Sequence, residues 1–574
     1  MARLFCPTRG LLTGHLTSYR GVASDTGTSP PQKNTQPSNI SYYMTRLLLS
    51  ILLSWTTLAS FAEEITIDDF YPPTNSREVK IEETNLPIVF INTLGSVIQR
   101  DDRITARMKI IDNGTGNLNY GDTVAYPLQT VDYDGYIGLK YRGNTSFEKS
   151  DKKPYGFKTL EQTLEEGGKK QKVSLLGMGK DNDWVLLAPF ADKSMIRDVL
   201  TFELARPYFA YTPHTRFCEV ILNGVYYGVY ILSERPGKGK HRLNLNAPGE
   251  DEGDLTGDFH VEIDRNDEEI YYTSPYPPKN LFGLDDSSRK IFYQYDSPDP
   301  DDLKEMPEEV RNNIDAAIND MESCFKQSNY ADPDEGYSRY INPTSFVDYF
   351  LTTEFTLNID GYRLSTHLYK YSETRALNEG LDHRWQTTLW DYNIAYGNDS
   401  FYGDKVDIWQ YNYNKWGIAS EHHIPFWWEK LLADPAFNQA VRQRWTEYRM
   451  GGYTEDHIIS VIDELADELT MYGAADRNEQ AWGTYGQRIW PSYTTIENFE
   501  EEIAHLKTWI KSRMAFLDKN FLVATGMPGE TVTAVPASET VVGYYSPSGC
   551  RTDSSSKGVM MVRYSDGTVR KIVR

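Results

Sequence analysis

The sequence predicts an α+β fold of two lobes, a β-rich N-terminal lobe followed by a helical C-terminal lobe, with a small β module at the C-terminal end. Three observations carry this. Segments between residues 86 and 236 alternate apolar and polar residues with the period of strands, whereas five segments between 301 and 521 repeat apolar residues at helical spacing. At 574 residues the chain exceeds one ordinary core. From residue 524 onward, small residues give way to short strand-like runs between Gly/Ser turns. A β-rich half followed by an α-rich half places a cleft between lobes, where ligands bind.

In chain order, residues 1–43 are polar, rich in Ser, Thr and Pro, and aperiodic, and read as an extension ahead of a second start at Met44. Residues 44–62 read as a secretory signal peptide: Arg46, an apolar run, then Ser60 and Ala62 before a cut at Glu63. The alternative is a cytoplasmic tail with one membrane anchor, but the run is shorter than the ~20 residues a span needs. The expected location is therefore secreted or cell surface, with the periplasm in transit, and no membrane span in the mature chain. Removing residues 1–62 takes away five Lys/Arg and one Asp and leaves a formal charge of −27. That balance repels nucleic acid and anionic membranes, and a bound polyphosphate then needs a locally basic site or a metal. Cys218, Cys324 and Cys550 are far apart and odd in number, which argues against a disulfide framework or a zinc site. His422 and His423 read as a surface pair.

Residues 63–130 form an N-terminal β segment, with strands expected at 86–93 and 104–112 and a turn in "NGTGNLNYGDT". The main domain is expected over 131–523, its N-lobe ending near 240 and its C-lobe filling 241–523. Residues 136–160 give two strands around a Gly/Ser/Lys loop. Residues 192–208 give a helix capped by Asp192 and ended by Pro207, and 217–236 a hairpin on an Asn-Gly turn. Helices follow at 301–327, 343–358 (Asn342 as cap, Pro343 in the first turn), 425–450, 455–473 and 496–521. Residues 524–574 are a linker and a four-stranded β module.

No P-loop, nucleophile elbow or dinucleotide fingerprint is present. In "YRGNTSFEKSDKKPYGFK" (141–158) a polar turn offers backbone N–H groups to phosphate, and Lys158 on the following strand reaches it as a point charge; taken alone the stretch also reads as an exposed hairpin. Asp360 follows a helix and opens a loop, and Asp391 follows the apolar "TTLW". Two acids at strand mouths, 31 residues apart, suit one Mg²⁺ shared with phosphate oxygens. Singly, each reads as a turn or cap residue. A Lys-bearing strand, a helix and a hairpin, then helix–Asp–strand and strand–Asp–turn, is the order of parts in a protein kinase.

The stretches "RGNTS…KKPYGFK" (142–158), "WVLLAPFADKSMIRDVL" (184–200), "NGVYYGVYILSERP" (223–236), "FHVEID" (259–264), "NIDGYRLSTHLYKY" (358–371) and "WDYNIAYGN" (390–398) resemble, in order, the CotH (spore coat protein H) kinase family of secreted, atypical kinase-like proteins. The resemblance implies a bilobed, atypical protein-kinase-like fold and ATP- and Mg²⁺-dependent (or Mn²⁺-dependent) phosphorylation of protein Ser/Thr hydroxyls. Asp360 then corresponds to the catalytic-loop aspartate and Asp391 to the metal-binding aspartate. Lys158 corresponds to the phosphate-binding strand lysine, and Arg142, Gly143 and Asn144 to the cover over the phosphates. Ser365 stands where kinases carry a metal-binding Asn, with Asn393 as its substitute, and Glu234 and Glu203 are the two candidates for the lysine's partner. The end of the chain, "KGVMMVRYSDGTVRKIVR", resembles the C-terminal sorting domain of the Bacteroidetes type IX secretion route, which implies cell-surface attachment; a plain edge-covering sheet is the other reading. An acidic chain suits a basic, Ser/Thr-rich protein substrate. Two rivals stand beside the kinase reading: a catalytically inactive kinase-like surface binding or adhesion protein, and a metal-dependent hydrolase using the same two aspartates.

Overall fold

The computed structural model describes residues 79–416, 418, 420–522, 541–545, 551–552, 555, 559–564 and 569–573. The extension, the signal peptide with its cut at Glu63, Met44 and the linker up to 540 lie outside the described residues.

Seven strands close into a barrel: β1 (Ile88–Asn92), β2 (Ile104–Ile111), β3 (Val131–Tyr141), β4 (Tyr155–Leu160), β5 (Asp183–Leu187), β6 (Thr215–Leu222) and β7 (Val225–Ser233), in the order β1-β2-β3-β4-β5-β7-β6. The seam is the parallel pair of β1 with β6, Ile88 opposite Glu219, and closure leaves no free edge. Val89 and Ile91 point into the barrel among Met108, Ile137, Leu139, Phe157, Trp184 and Val220. Ile88 falls outside it; Phe90 packs with Ile81, Ile111 and Tyr226 in a second cluster. Both faces of β1 are thus buried, which is why it reads as a continuous apolar run. The expected boundary near 130 runs through this barrel, since β1 and β2 pair with strands on its far side. The β6–β7 hairpin turns at Asn223 and Gly224, both at positive φ (51° and 75°), as its Asn-Gly sequence requires.

Beyond the barrel, β8 (Phe259–Asp264), β9 (Tyr271–Thr273), β10 (Phe292–Ser297), β11 (Thr366–Lys370) and β12 (Gln386–Thr388) form an antiparallel sheet in the order β9-β10-β8-β11-β12. The helices are α1 (Thr145–Lys149), α2 (Arg197–Ala205), α3 (Pro300–Glu305), α4 (Glu308–Cys324), α5 (Pro343–Thr356), α6 (Glu373–Glu379), α7 (Trp427–Ala433), α8 (Pro435–Met450), α9 (Glu455–Thr470), α10 (Ala474–Trp482) and α11 (Phe499–Phe521). None of the described helices is long and apolar enough to cross a membrane. The molecule is therefore a mixed α+β protein with a β-barrel N-terminal region and a largely helical C-terminal region, as the periodicities predict.

Several boundaries differ for local reasons. Two long predicted helices are each split at a proline, Pro307 and Pro435, where the missing N–H and ring sterics start a new helix. The helix expected from Asp192 begins only at Arg197. Asp192 accepts hydrogen bonds from Ser194 and Arg197 instead of capping. His422 and His423 are not a surface pair: His422 lines the cleft described below and His423 is buried. Cys218 and Cys324 are buried and free. Residues 541–573 carry the predicted four strands, β13 (Val541–Tyr545), β14 (Arg551–Thr552), β15 (Val559–Tyr564) and β16 (Val569–Val573), ordered β14-β13-β15-β16.

Helix α5 positions the site. Asn342 caps it by accepting the Ser345 N–H, and Pro343 occupies its first turn, as expected. From Phe346 to Thr356 every residue is buried. Glu354 and Arg513 form an ion pair at 3.2 Å with both side chains fully buried, and Arg513 also donates to the Glu354 and Val406 carbonyls at 2.7 Å. Removing one member of such a pair costs about 3–5 kcal/mol, because the other charge is left buried. The helix stops at Leu357, in the left-handed region (φ 49°), and the chain turns directly into Asn358, Ile359 and Asp360.

Candidate active site

A cavity of about 340 Å³ opens between the barrel strands' connections and the segments after α5 and β12. Arg142, Gly143 and Asn144 line it from the β3–β4 connection, Asp360 and Ser365 from the loop after α5, and Asp391 and Asn393 from the segment after β12. Seven of the ten predicted site residues therefore share one cavity. Asp198, in the first turn of α2, also lines it and was missed by the sequence reading.

The two acidic motifs are physically joined. The Asn358 side chain donates to the Asp391 carbonyl at 3.0 Å and accepts the Asp360 N–H at 3.2 Å. Asp391 sits at φ 59°, a conformation uncommon for a non-glycine residue and frequent at functional sites. The Asn393 amide donates to its carboxylate. The neighbouring Tyr392 N–H donates to Asp198 at 2.6 Å, which brings the third acid to the same place. Burial first, and then the charge of Asp360, push the Asp391 carboxyl up to about 6 against the opposing charge of Arg142. Asp198 is raised well above the ordinary carboxylate range by burial and then by Asp391. Carboxylates crowded in this way are stabilised by a cation placed among them. Asp391, Asp198, Asp360 and Asn393 all bring side-chain oxygens to the cavity lining, the atom type that Mg²⁺ and Mn²⁺ select, but among the described residues the three carboxylates are not drawn together into a preformed metal cluster.

Cationic side chains face these acids. Arg142 lies over the Trp390 ring at 5.3 Å, and burial lowers its pKa. Arg363 pairs with Asp360 at 2.5 Å, donates to the Ile359 carbonyl at 2.9 Å and covers the Tyr413 ring at 4.4 Å. Arg265 and Lys149 complete the basic lining. Gly143 has φ 79°, and a Cβ there would come within 2.2 Å of Ser146 Oγ, so the turn requires glycine. Asn144 donates to Asp267 and accepts from Arg100, both at 2.5 Å, which spends its side chain on holding the loop. Ser365, at φ 47°, donates its N–H to Asp264 at 3.1 Å. An apolar wall of Leu187, Pro189, Phe190, Ile231 and Ile394 closes another side.

The remaining three predicted residues stand apart from the lining. Lys158 lies on β4 opposite Asp183 of β5. Burial lowers its pKa and Asp183 opposes that shift. Glu234 is buried and its carboxylate takes the His214 N–H at 3.1 Å and the Tyr211 hydroxyl at 3.2 Å. Glu203 pairs with Arg206 at 2.6 Å on the open side of α2. Neither glutamate meets Lys158 in an ion pair among the described residues, because each carboxylate is engaged on its own element's neighbours. The lysine–glutamate pairing expected from the sequence is not formed.

Fold and cavity together define a mixed α+β protein whose cleft sets carboxylates opposite guanidinium groups, an arrangement suited to a polyphosphate. The chain belongs to the CotH kinase family: the family's model, described as CotH kinase protein, matches residues 139–517. Membership implies a kinase, and with it the use of ATP. No curated protein matches the chain.

Proposed function

We propose that the protein is an exported, bilobed, atypical protein kinase that transfers the ATP γ-phosphate to Ser/Thr hydroxyls of a basic protein substrate with a divalent metal. The observation that carries this reading is the convergence of Asp360, Asp391 and Asp198 on one cavity with the Arg142–Asn144 loop. A cavity of this size lies within the range of small-molecule sites, roughly 300–1,000 Å³.

Asp391, Asp198 and Asn393 would hold Mg²⁺ or Mn²⁺, which supplies charge neutralisation at the phosphate oxygens. Arg142 and the backbone N–H groups of the Gly143 turn bind phosphate, and the apolar wall takes the base. Asp360 orients the acceptor hydroxyl and receives its proton as the new O–P bond forms and the bond to the ADP leaving oxygen breaks. Arg363 fixes the Asp360 carboxylate in place. Positioning and electrostatics supply most of the rate in such transfers, so this set is sufficient in principle. Arg142 takes over the phosphate contact that the sequence reading gave to Lys158.

The offset of Lys158 favours one second reading, an inactive kinase-like surface binding protein. The signal-peptide pattern and the terminal strands support export and surface attachment in either case. The experiment is incubation of the full chain with ATP, Mn²⁺ and a Ser/Thr peptide array, read by mass spectrometry beside Asp360→Asn. Phosphopeptides formed by the wild type alone support the kinase. Phosphate released only to water points to a hydrolase, and no turnover with intact nucleotide binding points to the binding protein.

A further inference from the structure

Strand β8 alternates strictly: Phe259, Val261 and Ile263 enter the main core, leaving His260, Glu262 and Asp264 on the other face. Asp264 is the residue that accepts the Ser365 N–H at the cleft. At the opposite end of the same face, His260 meets His367 of β11 and Asp296 of β10. His260 Nε2 lies 2.9 Å from His367 Nδ1, His367 Nδ1 lies 3.4 Å from Asp296 Oδ2, and His260 Nδ1 lies 3.6 Å from the same oxygen. Both imidazoles are buried, at 0% and 2% exposure. None of the three residues lines the cleft cavity.

The polar accounting of this cluster does not close. His260 Nδ1, His367 Nε2 and Asp296 Oδ2 are buried atoms without a hydrogen-bond partner. Buried polar atoms left without a partner destabilise a fold unless something binds them; Glu262 stands behind His367 Nε2, which leaves His260 Nδ1 and Asp296 Oδ2 as the two atoms a bound ion would satisfy. Asp296 is also aimed deliberately. The register of β8 with β10 shifts between His260, opposite Ser297, and Val261, opposite Tyr295, so Asp296 is the extra residue of a bulge. Bulges re-aim side chains, and this one turns a carboxylate onto two histidines.

We propose that His260, His367 and Asp296 form a buried structural site for a divalent transition-metal ion, zinc by its ligand chemistry, that ties strands β8, β10 and β11 together behind the cleft. One ligand atom from each of His260, His367 and Asp296 lies within 4.8 Å of the other two, so a modest movement of the rings brings them to the roughly 3.3 Å separation of ligands held about 2.0–2.1 Å from a tetrahedral Zn²⁺. Glu262 lies opposite His367 across the strand pair, its carboxylate 3.5 Å from His367 Nε2. A carboxylate behind a ligating imidazole, on its other nitrogen, is the usual outer partner at zinc centres. Arg235, paired with Asp296 Oδ1 at 2.8 Å, occupies the carboxylate oxygen that does not face the histidines. Two nitrogens and a carboxylate are a poorer match for Mg²⁺, so the ion here differs in kind from the one proposed for the cleft.

The test uses the full chain, stripped with a chelator, reloaded with ZnCl₂, desalted and analysed for metal by mass spectrometry, with Co²⁺ loading read by visible absorption. The expected result is one tightly held zinc per chain, unchanged in Asp391→Asn, lost in the His260→Gln/His367→Gln double variant, and weakened about 10–100-fold in Glu262→Gln. Circular dichroism establishes that the variants are folded; if the double variant does not fold, the Glu262→Gln affinity and the wild-type cobalt spectrum decide. Reloaded wild type that retains no zinc and gives only the spectrum of hydrated cobalt overturns the proposal, as does zinc retained equally by the folded double variant. Zinc lost in Asp391→Asn but kept without the histidines also overturns it, by placing the ion in the cleft.

Discussion

Replacing Asp391 by asparagine should stabilise the metal-free protein while removing its metal-dependent nucleotide binding. The carboxyl stands at about 6 in the folded chain against an ordinary value of 3.8. That distance corresponds to roughly 3 kcal/mol against the charged form. Because Asp391 faces a water-accessible cavity, screening reduces the penalty to about 1.5–3 kcal/mol. Its pH dependence has a definite sign. A carboxyl raised on folding binds its proton more tightly in the native state, so the penalty is absent below about pH 4, grows between about pH 4 and 6, and is complete above that. The neutral amide of the Asp391→Asn variant has no such penalty, keeps an acceptor for the Asn393 side chain, and tolerates the left-handed backbone at least as well. The assay is the melting temperature of both proteins in chelator between pH 4 and 8. The variant should melt higher at pH 7.5 and the gap should close near pH 4. A variant less stable than wild type at neutral pH, or a gap that does not change with pH, refutes the account of crowded carboxylates.

Three further outcomes follow from the same geometry. Arg513→Met leaves Glu354 charged and buried, and chemical denaturation should show a loss of about 3–5 kcal/mol; a loss below about 1 kcal/mol would mean that the pair does not brace α5. Gly143→Ala puts a Cβ 2.2 Å from Ser146 Oγ at φ 79°, so the KM for ATP should rise with kcat less affected, and an unchanged KM would remove the loop from phosphate binding. Asp360→Asn should lower kcat by about 10²–10⁴-fold, whereas Lys158→Met, outside the cavity lining, should cost less than Arg142→Met; the reverse order would restore Lys158 to the phosphates.

The strongest local signals in the sequence were those whose physics is local. An Asn-Gly pair between alternating strands fixed the β6–β7 hairpin, and Asn342-Pro343 fixed the start of α5, since turn dihedrals and caps depend on adjacent residues. Barrel closure was not readable, because the β1–β6 seam joins segments some 130 residues apart. That closure also decided the fate of Lys158: Phe157 fills the barrel, so its neighbour faces outward beside Asp183. Asp360 and Asp391 were found because each stands where a regular or apolar segment gives way to a loop, whereas Asp198 looks like any acid in a helix's first turn. The His-Glu-Asp face of "FHVEID" was not singled out in the sequence, because its partners come from strands that only the folded sheet brings alongside.

The central claim is that the cleft is a nucleotide–metal site, and calorimetric titration of the full-length protein with ATP, in Mn²⁺ and in chelator, tests it most directly. The account predicts saturable binding that requires the metal and disappears in Asp391→Ala. Binding that is absent in both conditions, or identical in the variant, would contradict it.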